Sequence, residues 1–159
     1  MALFYTYLGS TPSSALVKRY VPETGSAWIR ALSAANPGNS LFIARITWVE
    51  VRSAIARRQR EGSLTPTDAT LIIQRFRSDL NTQYQVIELD STLAETAGQL
   101  VNQYPLRAYD AVQLASVLRI QPAFATTEST QLIFLTADDR LSAIAIALGL
   151  LTDNPNHHP

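Results

Sequence analysis

The sequence contains no cysteine, which excludes disulfide frameworks and thiolate metal sites and is compatible with a reducing cytoplasm. It also lacks any apolar run of about 18 residues, the length that a membrane-spanning helix requires. Residues 1–12 have neither the basic segment nor the apolar core of a secretion signal. We therefore expect a soluble, cytoplasmic protein without a membrane partner.

An excess of charge of either sign is missing as well. The 13 basic and 13 acidic side chains cancel, so a nucleic-acid partner would have to be bound by a local patch. What the chain does contain is 47% apolar residues in a length of 159, enough for one domain with a sizeable core. We expect a single domain over residues 1–159, in which residues 152–159 form a C-terminal tail without regular structure.

Strand-like and helix-like segments alternate along the chain. Apolar, β-forming stretches bounded by turn residues predict strands at residues 2–8, 41–46, 85–89 and 132–136. Helical spacing and capping residues predict helices between them, the longest beginning near Thr47, Thr65, Ser91 and Leu106 and the last near Asp138. A loop is expected from Pro122 to Thr130. This alternation predicts a three-layer α/β/α fold with a mainly parallel central sheet.

The helix predicted over residues 106–120 carries one carboxylate, Asp110, in an otherwise apolar opening turn. Counting by three and four places Asp110 on one face with Gln113 and Val117, the side expected to pack inward. A charge there needs a partner or a metal ion. The alternative, equally weighted on the residues alone, is an acid satisfied by backbone N–H groups and the positive end of the helix dipole.

Three acids fall where the carboxyl ends of parallel strands are expected to meet, namely Glu50, Asp110 and Asp138. Carboxylates gathered without basic partners are normally held by hard divalent cations, so Mg²⁺ or Mn²⁺ is the expected cofactor. Each acid has a structural alternative. Thr47 and Glu50 have the spacing of a capping box, and Asp138 or Asp139 could simply cap a helix.

Basic side chains form two groups along the chain. The arginines between residues 52 and 60 could bind phosphates, although such a run favours a solvated helix face. Nearer the predicted crevice lie Lys18, Arg19, Arg107 and Arg140, of which the last two are candidate phosphate contacts. His157 and His158 are adjacent in the predicted tail, which makes a poor preformed metal site.

Five segments together resemble PIN-domain proteins of the VapC-type toxin group. They are SSALVKRYVPE (13–23), ITWVEVRSAIARR (46–58), PLRAYDAVQLA (105–115), LTADDRL (135–141) and the ending NPNHHP. The resemblance implies a metal-dependent ribonuclease, commonly the toxin of a toxin-antitoxin pair and commonly a homodimer, hence RNA and a small antitoxin as partners. It also implies that Glu50, Asp110 and Asp138 are the catalytic, metal-binding acids, with Asp139 as the neighbouring alternative to Asp138.

The chain departs from the family at its fourth acidic position, which falls here at Pro12; no acid precedes Glu23. Ser13 or Ser14 could offer a neutral oxygen, but a hydroxyl is a weak substitute for a carboxylate on Mg²⁺. Two hypotheses result: an active or weakly active ribonuclease toxin, or a catalytically inactive PIN domain that binds RNA or an antitoxin. Other doubly wound phosphate enzymes need acids after the first strand, and since residues 9–14 contain none they rank last.

Overall fold

A computed structural model describes residues 1–5, 15–34, 39–125 and 131–158. Five strands form one sheet, with the bounds β1 Ala2–Tyr5, β2 Ser40–Ala44, β3 Tyr84–Ile87, β4 Leu132–Leu135 and β5 Leu151–Asp153. Their order is β3-β2-β1-β4-β5, and every neighbouring pair is parallel. The helices are α1 Ser26–Ser33, α2 Thr47–Arg60, α3 Pro66–Thr82, α4 Ser91–Gln103, α5 Ala108–Ala125 and α6 Asp139–Ala147.

The sheet separates two apolar cores, which makes the fold three-layered. Along β2 the side chains alternate, so that Phe42 and Ala44 pack with α4, α5 and α6 while Leu41 and Ile43 pack with α1, α2 and α3. Burial on both faces explains why this strand reads as a continuous apolar run. The predicted three-layer α/β/α fold with a parallel sheet is confirmed.

Side-chain caps mark the starts of α3 and α4. At α3 the Thr65 hydroxyl accepts a hydrogen bond from the Asp68 N–H, and Pro66 occupies the first helical position. At α4 the cap is Asp90, whose carboxylate accepts from the Leu93 N–H at 2.9 Å, rather than the predicted Ser91. None of the helices in the described ranges is both long and apolar enough to cross a membrane.

The prediction of a loop from Pro122 is wrong for its first residues, because α5 continues through Pro122 to Ala125. A proline within a helix removes one backbone hydrogen bond and crowds the preceding turn. Packing offsets that cost here, since the ring of Phe124 meets Phe42 edge-on, with 5.6 Å between ring centroids. Residues 126–130 of the predicted loop lie outside the described residues.

The prediction of an unstructured tail from Thr152 is also wrong. Residues 151–153 form β5 on β4, and a 3-10 helix follows over Pro155–His157. A three-residue strand is too short to show a periodic pattern, so nothing in the sequence marked it. The segment packs on α1, where the His158 ring stacks on Trp28 with 3.9 Å between centroids.

Candidate active site

The site lies at the carboxyl ends of β1, β2 and β4, where the strand order reverses between β1 and β4. The chain leaves β2 at Ala44 and enters α2 within three residues, which puts Glu50 in the first turn of that helix. It leaves β4 at Leu135 and reaches Asp138, the residue that caps α6. Asp110 lies in the first turn of α5. The topology therefore directs Glu50 and Asp138 toward the same edge of the sheet, and Asp110 lies close enough to both for their charges to interact.

Glu50 is buried, with only 3% of its surface exposed. Its Oε2 accepts a 2.7 Å hydrogen bond from Nε2 of Gln113, and the same nitrogen donates to Oγ1 of Thr47 at 3.0 Å. Within the described residues, Oε1 of Glu50 has no hydrogen-bond partner. The capping-box interpretation is wrong, because α2 follows Ile46 without a side-chain cap and the Glu50 side chain turns inward instead.

The surroundings of Glu50 disfavour its charge. Burial raises the pKa of Glu50 from its ordinary 4.5 to about 8, and the negative charge of Asp110 adds to the increase. The hydrogen bond from Gln113 acts in the opposite direction and favours the carboxylate. Glu50 at neutral pH therefore needs either a proton or a cation close to it.

Asp110 is buried to a similar degree, with 2% of its surface exposed. Its Oδ2 has two distant partners, the Arg107 N–H at 3.4 Å and a guanidinium nitrogen of Arg140 at 4.0 Å. Burial raises the pKa of Asp110, the Arg107 N–H lowers it, and the charge of Asp138 raises it. Helix capping by Asp110 thus consists of one long hydrogen bond, from the Arg107 N–H. Such a bond offsets little of the free-energy cost of burying the Asp110 carboxylate.

Asp138 is the N-cap of α6, as the helix-capping alternative predicts. Its Oδ1 accepts from the N–H groups of Arg140, at 2.7 Å, and Leu141, at 3.1 Å. Its own N–H donates to Oγ1 of the fully buried Thr136 at 3.2 Å. These contacts fix Asp138 at the end of β4, where its charge acts on Asp110.

Asp139 has a different role from its neighbour. It is exposed, and its Oδ1 accepts a 2.7 Å hydrogen bond from Nδ2 of Asn154 in the C-terminal segment. Asn154 is buried and also caps the 3-10 helix that follows it. The structure therefore associates Asp139 with the C-terminal segment and Asp138 with Asp110.

Glu50 and Asp110 repel each other electrostatically, and so do Asp110 and Asp138. Across the described ranges, however, no three His, Cys, Asp or Glu side chains lie close enough to hold one metal ion. The convergence of the three carboxylates on a shared cation therefore stays a prediction. Pro12, which occupies the family's fourth acidic position, and the neighbouring Ser13 and Ser14 lie outside the described residues.

The donor atoms present nevertheless fit a hard divalent cation. Glu50 and Asp110 offer carboxylate oxygens, which Mg²⁺ and Mn²⁺ prefer, and the unpaired Oε1 of Glu50 is a buried acceptor without a donor in the described part of the chain. His158 has structural partners, since its Nε2 contacts Asp153 at 2.9 Å and its ring stacks on Trp28. That His157 and His158 make a poor metal pair stays a prediction.

Two of the four basic candidates for the crevice have structural partners. Lys18 is buried and donates to the Thr24 carbonyl at 2.8 Å, while Glu23 binds both Lys18 and Arg58. Arg19 binds the side chains of Tyr84 and Asp79. Arg107 and Arg140 remain as the cations that act on Asp110, so they are the basic groups nearest the acids.

Sequence reasoning missed the roles of Gln113 and Thr47 in this site. Gln113 was recognised only as a neighbour of Asp110 on the inward helix face, and Thr47 only as a possible helix cap. The available signal was the amide itself: a glutamine at a buried helix position must find hydrogen-bond partners. Its partners are 63 and 66 residues away in sequence, and only the fold identifies them.

Comparisons with known proteins agree on one family. The model of the PIN domain family matches residues 13–147. Two curated relatives from Mycobacterium tuberculosis are named Ribonuclease VapC45 (strain CDC 1551 / Oshkosh) and Ribonuclease VapC49 (strain ATCC 25618 / H37Rv). Each is 33% identical over 108 residues, which cover 68% of this chain and 73% of the relative.

Two solved structures share the fold. One is a toxin-antitoxin complex from Klebsiella pneumoniae, with a TM-score of 0.58 and 22% identity over 98% of both chains. The other is VapBC2 from Rickettsia felis bound to a DNA fragment from their promoter, with a TM-score of 0.58 and 12% identity over 97% of this chain and 98% of that one. At these identities the likeness establishes the architecture and nothing about partners.

Proposed function

This chain belongs to the PIN-domain family and to its VapC-type group, and on that premise we propose that it is a divalent-metal-dependent ribonuclease and the toxin of a toxin-antitoxin pair. The observation that carries the proposal is the pair of buried carboxylates, Glu50 and Asp110, at the carboxyl edge of the parallel sheet. Its partners are then RNA as substrate, a small antitoxin protein and, as in the family, a second copy of the chain.

Glu50, Asp110 and Asp138 are the residues that would hold Mg²⁺ or Mn²⁺. When bound, the ion supplies an activated water and charge stabilisation for phosphodiester hydrolysis. The chain's own contribution is positioning: Asp138 is fixed by its cap on α6, and Glu50 by its bond to Gln113. Arg107 and Arg140 are the candidate contacts for the RNA phosphate, since they are the cations beside Asp110.

The site is weaker than a four-acid site. Without a carboxylate at Pro12, a bound ion loses one ligand and one formal charge, and ions of this kind bind largely through electrostatics. Glu50 and Asp110 repel each other, as do Asp110 and Asp138, and the same negative charges attract one cation. We therefore expect weak Mg²⁺ or Mn²⁺ binding and slow cleavage of RNA.

Metal titration and RNA cleavage test the proposal together. Calorimetry with Mn²⁺ is run on the purified chain and on Glu50→Gln and Asp110→Asn, and each protein is incubated with a mixed RNA pool with Mn²⁺ or with EDTA. The matched control is Glu95→Gln, an acid-to-amide change at an exposed position of α4. We expect EDTA-sensitive cleavage by the parent and the control, whereas the two site variants should lose cleavage and bind Mn²⁺ with weakened but still measurable affinity.

The contrary outcome is equally specific. A parent that binds RNA or a small antitoxin but neither binds Mn²⁺ nor cleaves RNA would be an inactive PIN domain acting as a binding module. Cleavage that survives both Glu50→Gln and Asp110→Asn would instead assign the activity to other residues or to a contaminant.

A further inference from the structure

Gln113 joins α5 to α2 at the site through hydrogen bonds of its side-chain amide. It lies on α5, one turn after Asp110, and is fully buried. Its side-chain amide nitrogen donates twice to α2, to Glu50 Oε2 at 2.7 Å and to Thr47 Oγ1 at 3.0 Å. Thr47 is itself fully buried, so water does not compete for these bonds.

The chemistry of these groups fixes the direction of each bond. An amide nitrogen only donates and an ionised carboxylate only accepts, so the observed orientation of Gln113 suits the charged form of Glu50. The hydroxyl of Thr47 holds the amide from a second side, which restricts its rotation. One oxygen of Glu50 is therefore engaged, and the other, Oε1, has no partner within the described residues.

Packing alone does not account for a glutamine at this position. Oε1 of Gln113 is also buried and has no partner among the described residues, so the side chain is only partly satisfied. An apolar side chain of the same length would fill the same space without desolvating two polar atoms. What glutamine adds is the bond to Glu50.

We propose that Gln113, anchored by Thr47, is a positioning residue that holds Glu50 by Oε2 so that Oε1 is the oxygen presented to the divalent cation. This inference rests on the proposed function, because it assumes that Glu50 is a metal ligand. Groups that orient a ligand in this way typically change metal affinity about 10- to 100-fold when they are removed.

The test is a double-mutant cycle read out as Mn²⁺ affinity. Gln113→Met keeps the length of the side chain and removes the amide. It should weaken Mn²⁺ binding by about 10-fold or more in the parent, yet have no further effect in the Glu50→Gln background. A general loss of packing would instead weaken binding equally in both backgrounds, and that result would overturn the proposal.

Two variants serve as controls. Gln121→Met makes the same change on the same helix, where the amide bonds the Gly149 carbonyl at 3.1 Å, and it should leave Mn²⁺ affinity unchanged. At the anchor, Thr47→Ser keeps the hydroxyl and should restore most of the affinity that Thr47→Val loses. Equal losses in Thr47→Ser and Thr47→Val would count against the anchoring role.

A metal-independent readout separates this inference from the function on which it rests. In crystal structures of the parent and of Gln113→Met, we expect the Glu50 carboxylate to leave its position while the backbones of α2 and α5 superpose. A Glu50 that stays in place in Gln113→Met would refute the positioning role whether or not Mn²⁺ binds. Failure of the parent to bind Mn²⁺, with Glu50 displaced in the variant, would refute the proposed function alone.

Discussion

Replacing Glu50 by Gln should make the metal-free protein progressively more stable relative to the parent as the pH rises, while weakening Mn²⁺ binding. The unfolded chain loses the Glu50 proton near pH 4.5, whereas burial keeps the pKa of Glu50 in the folded protein at about 8. Between these two pH values the folded state binds more protons than the unfolded state, so stability falls as pH rises. Glu50→Gln removes this penalty because the amide does not titrate.

The size of the effect follows from the two pKa values. Each pH unit over which they differ is worth about 1.4 kcal/mol, so the penalty grows to about 3 kcal/mol at pH 7 and to about 5 kcal/mol above pH 8. The side-chain NH2 group that Glu50→Gln introduces lacks an assured acceptor and costs about 1 to 3 kcal/mol at every pH. Because this cost does not vary with pH, the quantity to measure is how the difference in unfolding free energy between variant and parent changes with pH. It should shift by about 3 kcal/mol in favour of the variant between pH 4.5 and pH 7.

Urea denaturation in the presence of EDTA measures this difference, with the fluorescence of Trp28 and Trp48 as the probe. Parent and Glu50→Gln are unfolded at several pH values from 4.5 to 8.5, with Glu95→Gln as the control for removal of an exposed acid. Asp110 also has a raised pKa, so a residual slope should remain in the variant. Parallel stability curves for parent and Glu50→Gln would show that Glu50 does not carry the desolvation penalty.

Three further changes have defined outcomes. Asp110→Asn should raise the free energy of unfolding in EDTA, because the folded carboxylate has a raised pKa, and should lower Mn²⁺ affinity in calorimetry; a stability loss with unchanged affinity would support helix capping instead. Pro12→Asp should increase Mn²⁺ affinity and RNA cleavage, with Pro12→Ala as the control for the lost ring; robust cleavage by the parent, unchanged in Pro12→Asp, would mean that the fourth acid is dispensable here. Gly25→Ala should lower the free energy of unfolding, measured in urea, by roughly 2 kcal/mol or more, because Gly25 has a φ of 81° and an added Cβ would overlap the Pro155 carbonyl. Gly62→Ala is the control, since Gly62 has a φ of 75° but open space around it, and it should cost less. Equal losses in the two variants would argue against close docking of the C-terminal segment.

The architecture could be predicted because several strands and helices carry strong local patterns of apolar residues. The LFIA segment of β2 is buried on both faces, and the spacing of apolar residues in α3 and α4 matches the helices that form. Prediction failed where tertiary contacts outweigh local signals. α5 runs through Pro122 because Phe124 packs on Phe42, and β5 forms because β4 offers a parallel edge to Leu151–Asp153.

The candidate site was predictable only to the level of its acids. Glu50 and Asp138 stand at the starts of helices that follow β2 and β4, which the parallel topology brings to one edge, and Asp110 stands at the start of α5. The bond from Gln113 to Glu50 depends instead on how α5 and α2, which pack on opposite faces of the sheet, approach each other at its edge. No spacing along the chain encodes a contact between residues 63 positions apart.

Asp138 shows why a structural role does not argue against a functional one. Its Oδ1 caps α6 through two N–H groups, and the same carboxylate carries the charge that raises the pKa of Asp110. The cap holds this carboxylate in place at the positive end of the α6 dipole, a favourable position for a negative charge. Glu50 is buried, and among the described residues the amide of Gln113 is the hydrogen-bond donor that favours its charge. The two acids are therefore stabilised by different means, and the more fragile arrangement, at Glu50, is the one whose disruption should affect metal binding most.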